Sequence, residues 1–322
     1  MTTGVPSMVK PRLGISSCLL GEPVRYDGGH KRDPFLVDTL GAFVEWVPVC
    51  PEAECGLGVP RETMRLVGSP DAPRLVTRKT GVDHTERMQK WAEGRLAGLE
   101  REDLDGFVLK SRSPSSGMSH VKVYDEHGVP AKTGVGIWAR AFMQRFPLLP
   151  VEDDGRLHDP SIRENFIERV FCLRRYRDFR RNDASRAGLV AFHTDHKLLF
   201  LAHSPEHLEE LGRIVADPDR YEDAELLAAY ERVMTDCLRT RATPARHVNV
   251  LQHMMGYFKN VLSTDEKVEV LDVLESFRQE LVPLVVPMTL MAHFVRKYDE
   301  PYLRRQVYLH PHPTELKLRN HA

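Results

Sequence analysis

Three cysteines and one glutamate in the first half of the sequence have the types and spacing of a thiolate site. Cys50 and Cys55 lie five positions apart with Glu52 between them, in the segment VPVCPEAECGLGVPRE, and Cys18 lies in a separate, earlier loop. Thiolates bind soft metals, and a neighbouring carboxylate can act as a general acid or base. The residue types and their spacing therefore favour a thiolate metal site.

Three interpretations of these cysteines are open at this stage. They can hold zinc together with a fourth ligand, they can hold an iron–sulfur cluster with one iron left open, or they can be buried structural residues. No other cysteine in this half could close a four-cysteine site, and the odd total of five cysteines disfavours a disulfide framework. An open metal position is the more useful outcome, because it can bind and polarise a substrate atom.

Three predicted strands must bring these residues together. Cys18 follows the run LGIS, Cys50 and Cys55 follow FVEWVPV, and the polar segment KSRSPSSG follows DGFVL. Each run is typical of a short buried strand. Open parallel sheets bind ligands beyond the carboxyl ends of their strands. We therefore expect the three loops to meet at one edge of a sheet.

The periodicity of the sequence changes near the middle of the chain. Strand and helix patterns alternate in the first part, and helical patterns dominate the second. We predict an α/β fold with three segments: an N-terminal Rossmann-like three-layer domain with a mostly parallel sheet at residues 1–148, a linker rich in proline and acidic residues at 149–160, and an all-α domain at 161–322.

The composition excludes a membrane protein. The 322 residues carry a net charge of −1, and the first residues lack the apolar core of a signal peptide. The longest apolar stretch, from Leu281, is interrupted by Pro283 and Pro287 and is too short to span a bilayer. We predict a cytoplasmic protein with no membrane partner.

Long motifs in both halves resemble known families. ISSCLLGEPVRYDGGHKRD, PVCPEAECGLGVPRE and LKSRSPSSG with the following VKVYD are similar to the thiouracil desulfurase family. FHTDHKLLFLAHS, NVLQHMMGYFKN and YLHPHPTELKLRN in the second half resemble the YbgA-type domain that is often fused to it. The fused architecture is similar to that of desulfidases acting on 4-thiouridine in tRNA.

The resemblance implies a cofactor and roles for four residues. The cofactor is a [4Fe-4S] cluster bound by three cysteines, whose open iron holds the substrate sulfur. By position, Cys18 and Cys50 match ligands, Glu52 matches the catalytic acid/base and Ser113 matches a serine near the substrate.

The third ligand departs from the family pattern. Stand-alone desulfurases have a cysteine in an SPSCG motif where this chain has Ser116, whereas this chain has Cys55 where those relatives tend to have glycine. We therefore hypothesise that Cys55 is the third ligand, so that the metal set is Cys18, Cys50 and Cys55.

The implied reaction is a non-redox, hydrolytic desulfuration of thiouracil to uracil with release of hydrogen sulfide. Ser116, Lys110 and Arg112 are predicted to contact the substrate, although the two cations could equally be ordinary solvated charges. The expected partner is tRNA containing 4-thiouridine. Two alternatives stay open: desulfuration of free thiouracil bases, nucleosides or other small thiolated pyrimidines, and a non-catalytic RNA-binding protein with a structural zinc or redox thiolate site.

Only a local patch could bind RNA in the second half, because neither half is strongly basic. The segment LRRYRDFRR mixes cations with rings that could stack on bases, and its predicted RNA-binding residues are Arg174, Arg175, Arg177, Arg180 and Arg181. The alternative is that this segment is the solvent-exposed end of an amphipathic helix. A zinc site is disfavoured for the nearby histidines, which are His193, His196, His203 and His207. Burial is expected for Cys172 and Cys237.

Overall fold

The computed structural model describes residues 9–217 and 220–320. The chain forms two compact units that divide between Asp159 and Pro160. The first is α/β and the second is helical, which confirms the predicted fold class. Among the described residues, no helix combines the length and apolar character needed to cross a membrane.

A parallel four-stranded sheet carries the first unit. Its strands, in the spatial order β2-β1-β5-β8, are β1 (Arg12–Ser16), β2 (Glu45–Val49), β5 (Gly106–Leu109) and β8 (Val151–Asp153). Every neighbouring pair is parallel. The chain moves from β1 to β2 on one side and later returns to β5 on the other, so strand order reverses between β1 and β5. Such a reversal opens a crevice beyond the carboxyl ends of the two strands.

A second sheet in this unit was not predicted. Its strands, in the order β4-β3-β6-β7, are β3 (Met64–Gly68), β4 (Pro73–Thr77), β6 (Val121–Tyr124) and β7 (Pro130–Gly134). The β3–β4 and β6–β7 pairs are antiparallel, whereas β3–β6 is parallel. The sequence of β6 suggested another strand of the parallel sheet. The structure places it in the second sheet, where Val121 and Val123 are buried against Leu66.

Three helices complete the α/β unit: α1 (Pro51–Glu54), α2 (Thr85–Glu100) and α3 (Ile137–Arg145). Helix α3 buries Trp138 and Phe142 against Phe107 of β5, with a centroid separation of 4.6 Å between the two phenylalanine rings. The connection between β1 and β2 consists of short 3-10 and π turns, where a Rossmann-like pattern predicts an α-helix.

The predicted linker differs from the structure. Within residues 149–160, Val151–Asp153 forms β8 and pairs with β5. A proline and acid-rich composition suggested a solvated connection, but Glu152 and Asp153 are buried because their carboxylates receive hydrogen bonds, including one from Arg156 at 2.6 Å to Glu152. Residues 149–159 therefore belong to the first unit, and Pro160 begins the second.

Helices build the second unit. They are α4 (Pro160–Asn182), α5 (Arg186–His203), α6 (Pro205–Ala216), α7 (Asp223–Arg239), α8 (Pro244–Tyr257), α9 (Thr264–Arg278), α10 (Val285–Lys297) and α11 (Pro301–Arg305). Hydroxyl side chains of Ser185, Ser204, Thr243 and Ser263 cap the starts of α5, α6, α8 and α9. Each cap satisfies a backbone N–H that the helix itself leaves unpaired.

Candidate active site

A cavity of about 260 Å³ lies beyond the carboxyl ends of β1, β2 and β5. Its wall includes Cys18 from the loop after β1, Cys50 and Glu52 from the loop after β2, and Lys110 and Ser113 from the loop after β5. The structure thus brings the three loops together at the point where strand order reverses.

Hydrogen bonds between the loops fix the backbone of the cavity. The hydroxyl of Ser16 accepts from the backbone N–H of Lys110 at 2.9 Å and joins the loop after β1 to the loop after β5. Cys50 precedes α1, and its N–H donates to the Glu54 carboxylate at 2.8 Å. Because α1 is a single turn closed by this bond, Cys50 and Glu52 are held in a fixed relation.

The Glu52 carboxylate is the centre of the polar contacts in the cavity. Its Oε1 atom accepts hydrogen bonds from the hydroxyl of Ser115 and, at 3.5 Å, from that of Ser113. The Oε2 atom lies 3.8 Å from the sulfur of Cys50 and 3.9 Å from the guanidinium of Arg61. The Glu52 side chain is 14% exposed, so this carboxylate is ordered yet open to the cavity.

The two cavity cysteines carry protonated thiols in the metal-free protein. Burial raises the pKa of Cys18 to about 11, an effect that Lys110 partly opposes and Glu52 reinforces. Burial and the charge of Glu52 raise the pKa of Cys50 to about 12. A metal binds the thiolate form, so loading the site must release protons.

The structure does not place Cys55 on the cavity wall with the other two cysteines. Its side chain packs against the buried cluster of the second sheet, which includes Leu66 and Met88. Its thiol donates to the backbone carbonyl of Glu52 at 3.4 Å. Ser116, in contrast, lines the cavity and is 3% exposed.

The predicted substrate contacts have different surroundings. Lys110 lines the cavity, but its ammonium donates to Asp154 at 2.7 Å and to the hydroxyl of Ser111 at 2.9 Å, so an acid already balances its charge. Arg112 lines the cavity from a left-handed backbone conformation with φ 59°.

Ser115 was missed by the sequence reasoning. It is fully buried and its hydroxyl contacts both Glu52 and Ser113, the latter at 2.9 Å. The Ser113 hydroxyl also accepts the backbone N–H groups of Ser115 and Ser116 at 3.3 and 3.2 Å, which closes the turn. A Cβ at Gly136 would lie 2.3 Å from the Ser115 carbonyl, so only glycine allows this close packing. The repeated serine in SPSSG was the available signal.

Three further residues of the wall were also missed. Tyr26 lines the cavity with 42% of its surface exposed, and the guanidinium carbon of Arg25 lies 5.5 Å from the centroid of its ring. Arg61 lines the cavity and donates to the carbonyls of Val24 and Gly58, each at 3.0 Å. An exposed ring at the opening of a cavity can stack on a planar base.

The arginines predicted to bind RNA do not form a free basic patch. Arg174 is buried and pairs with Asp178 at 2.6 Å, and Arg175 donates to His196 at 3.1 Å and to the Pro311 carbonyl at 2.8 Å. Arg180 pairs with Glu231 at 2.8 Å and Arg181 with Asp178 at 3.1 Å, while Arg177 is half-buried.

The two rings predicted to stack on bases pack against other aromatic side chains of the helical unit. Tyr176 is fully buried against Tyr230, with the ring centroids 5.8 Å apart, and Phe179 packs on Phe192 at 5.6 Å. Helix packing buries Tyr176 and Arg174 of this segment, whereas Arg180 and Arg181 are exposed. RNA binding by this segment stays a prediction.

The four histidines predicted to be unsuited to zinc have separate partners. His193 contacts the hydroxyl of Tyr230 at 3.1 Å, His196 the carbonyl of Phe192 at 2.8 Å, His203 the carboxylate of Glu168 at 3.1 Å and His207 the hydroxyl of Ser204 at 2.8 Å. Among residues 9–217 and 220–320, none of the four belongs to a group of three metal-binding side chains. Cys172 and Cys237 are buried, as expected.

Comparisons with known proteins divide along the same two units. Residues 13–154 match the family described as 2-thiouracil desulfurase, and residues 197–313 match a family described as a protein of unknown function, DUF1722. The uncharacterized protein YbgA of Escherichia coli (strain K12) is 29% identical over 158 residues, which are 49% of this chain and 94% of the relative.

One similar solved structure is a [4Fe-4S]-dependent thiouracil desulfidase, TudS. It is 31% identical and the match covers 47% of this chain and 95% of that chain, with a TM-score of 0.38. The chain belongs to the 2-thiouracil desulfurase family through its first unit, and it carries a DUF1722 domain of the YbgA type in its second.

Proposed function

We propose that this protein is an iron–sulfur-dependent desulfidase that removes the sulfur of 4-thiouridine in tRNA and releases it as hydrogen sulfide. The observation that carries the proposal is the position of the Glu52 carboxylate, which shares one cavity with the thiols of Cys18 and Cys50. A carboxylate beside two potential thiolate ligands fits acid/base chemistry next to a metal centre.

Two of the three thiolates that the proposed [4Fe-4S] cluster needs line the cavity. Cys18 and Cys50 would supply two ligands, and we propose Cys55 as the third. Cys55 directly follows α1, which carries Glu52, and its sulfur has to turn from the hydrophobic cluster towards the cavity to bind iron. Ser116 is the competing ligand, because its hydroxyl already lines the cavity. When bound, such a cluster supplies an open iron that can hold the sulfur of the substrate and take up negative charge.

The residues of the chain then have defined tasks in the reaction. Glu52 accepts a proton from the water that attacks the thione carbon, and Ser115 and Arg61 hold its carboxylate in place. The oxygen of the water bonds to the carbon, the carbon–sulfur bond breaks, and the sulfur leaves as hydrogen sulfide with the two protons of the water. No electrons are exchanged. Ser113 lies beside Glu52 and can orient the water or the pyrimidine.

The choice between Cys55 and Ser116 predicts a clear difference in cofactor content. Cys55→Ser is expected to lose iron because the cluster keeps only two thiolates, whereas Ser116→Ala is expected to keep it. The measurement is iron and acid-labile sulfide per chain after anaerobic purification. Loss of iron from Ser116→Ala with full retention in Cys55→Ser would assign the third ligand to Ser116.

The choice of substrate rests on the fused helical unit. We expect the protein to release sulfide faster from tRNA containing 4-thiouridine than from free 4-thiouracil at equal concentrations of thiolated base. Anaerobic sulfide assays on both substrates, with unthiolated tRNA as the blank, measure this preference. A preference for the free base would restrict the function to small thiolated pyrimidines.

A non-catalytic protein with a zinc site would release sulfide from neither substrate and would be colourless when purified without oxygen. An iron–sulfur cluster, in contrast, absorbs visible light.

The cytoplasmic location stays a prediction.

A further inference from the structure

A second group of potential metal ligands lies in the helical unit, away from the cysteines. Among the residues that the structure describes, Glu164, Glu168 and His312 each offer one ligand atom, and these atoms lie within 4.8 Å of one another. Glu164 and Glu168 are four positions apart on α4, which places both carboxylates on one face of the helix. His312 comes from the C-terminal segment, between α11 and the end of the described chain.

His312 carries an unpartnered nitrogen beside this group. Its Nδ1 lies 3.2 Å from the carbonyl oxygen of Pro313, which can only accept a hydrogen bond, so Nδ1 carries the proton. Nε2 then has a free lone pair, and this atom is buried without a hydrogen-bond partner while the whole residue is 8% exposed. Metal-binding histidines commonly donate their other ring N–H to a backbone carbonyl in this way.

The two carboxylates are held in place by hydrogen bonds from Arg319 and His203. Arg319 donates to Glu164 at 3.2 Å and to Glu168 at 2.8 Å, and Nε2 of His203 lies 3.1 Å from the other oxygen of Glu168. A carboxylate has about four acceptor positions, so these bonds leave Glu168 able to bind a metal as well. Ligand carboxylates that are themselves hydrogen-bonded are usual around metal ions.

Two members of the group also face open space. Glu164 and Glu168 line a cavity of about 170 Å³ in the helical unit, together with His203 and His247, whereas His312 lines a different cavity of about 130 Å³. An ion could therefore reach the two carboxylates from the larger cavity.

We propose that Glu164, Glu168 and His312 form a binding site for a first-row divalent cation, with zinc as the best-suited ion. One imidazole with two carboxylates matches the ligand preferences of zinc, and the two carboxylates balance the charge of the ion. Arg319 positions both carboxylates and limits the affinity through its positive charge, and His203 positions Glu168. The ion ties the C-terminal segment to α4. The competing occupant is a buried water molecule hydrogen-bonded to the same three groups.

The test uses the full chain with Cys18, Cys50 and Cys55 replaced by serine, so that the thiols of the first unit cannot take up zinc. After chelation, reloading with zinc and desalting, elemental analysis is expected to find one zinc per chain. Zinc is also expected to raise the melting temperature, because an ion that binds only the folded state stabilises it. In the same background, His312→Asn is expected to lose both effects.

His310→Asn is the matched control, because His310 is an exposed histidine two positions earlier in the same segment. It is expected to keep the zinc and the thermal shift. If His312→Asn does not fold, as judged by circular dichroism, Glu164→Gln takes its place with the same expectation. Absence of stoichiometric zinc in the starting protein, or equal zinc in the His312 and His310 variants, would assign the site to water and overturn the proposal.

Discussion

Replacing Glu52 by glutamine is expected to stop sulfide release while the protein keeps its fold and its iron. Glutamine preserves the size of the side chain and can still bond to Ser115, but it cannot take a proton from water. Removing a general base from a reaction typically lowers the rate by about 10²- to 10⁴-fold. We expect a loss in this range in kcat, measured as sulfide release from thiolated tRNA under anaerobic conditions.

Glu62→Gln is the matched control for this variant. Glu62 lines the same cavity, but its carboxylate accepts hydrogen bonds from the hydroxyl and the backbone N–H of Thr80, at 2.8 and 3.1 Å. Its role is therefore to hold the turn that contains Thr80. The activity of Glu62→Gln should stay close to that of the unchanged protein.

Ser115→Ala should give a smaller loss of activity than Glu52→Gln, roughly 10- to 100-fold, because a hydrogen bond to a charged group contributes about 1.5–3 kcal/mol. A near-normal kcat in Glu52→Gln would show that Glu52 is not the general base of the reaction.

Replacing Cys18 or Cys50 by alanine is expected to give a protein with little iron and no activity. Both thiols line the cavity, and a cluster left with fewer thiolates loses its hold on iron. The measurements are iron and acid-labile sulfide per chain, together with the visible absorption spectrum, on protein purified without oxygen. Alanine removes only the sulfur of each side chain, so we expect the metal-free fold to survive the change, which circular dichroism measures.

Cys172→Ala and Cys237→Ala provide the comparison. Both residues are buried among the helices of the second unit, and their replacement should leave the iron content unchanged. A cofactor retained in the Cys18 and Cys50 variants, or zinc in place of iron in the unchanged protein, would contradict the iron–sulfur proposal.

The sequence predicted the location of the cavity better than the direction of individual side chains. Short buried strands followed by polar loops define the edge of a parallel sheet, and this regularity sufficed to bring Cys18, Cys50 and Ser113 together. Spacing alone cannot tell which way a side chain leaves a one-turn helix. Cys50 and Cys55 stand at opposite ends of α1, and only the first faces the cavity in the structure.

Long-range partners explain most of what the sequence could not predict. The arginines of α4 form a basic run in the sequence, but the charges of Arg174, Arg180 and Arg181 meet acids on the same helix or on α7. Ser115 resembles any turn serine until the fold places Glu52, sixty-three positions earlier, against its hydroxyl. The second sheet was missed because β3, β4 and β7 are short and partly exposed, which leaves no continuous apolar run to mark them.

The last strand of the parallel sheet sets where the protein can be divided. Asp154 directly follows β8 and binds both the ammonium of Lys110 and the backbone N–H of Ser111, in the wall of the cavity. A fragment trimmed at residue 148 would lack an outer strand and leave Lys110 without its counter-ion next to Cys18. An isolated N-terminal half therefore has to extend through Asp159, and inactivity of a shorter piece would say nothing about the need for the helical half.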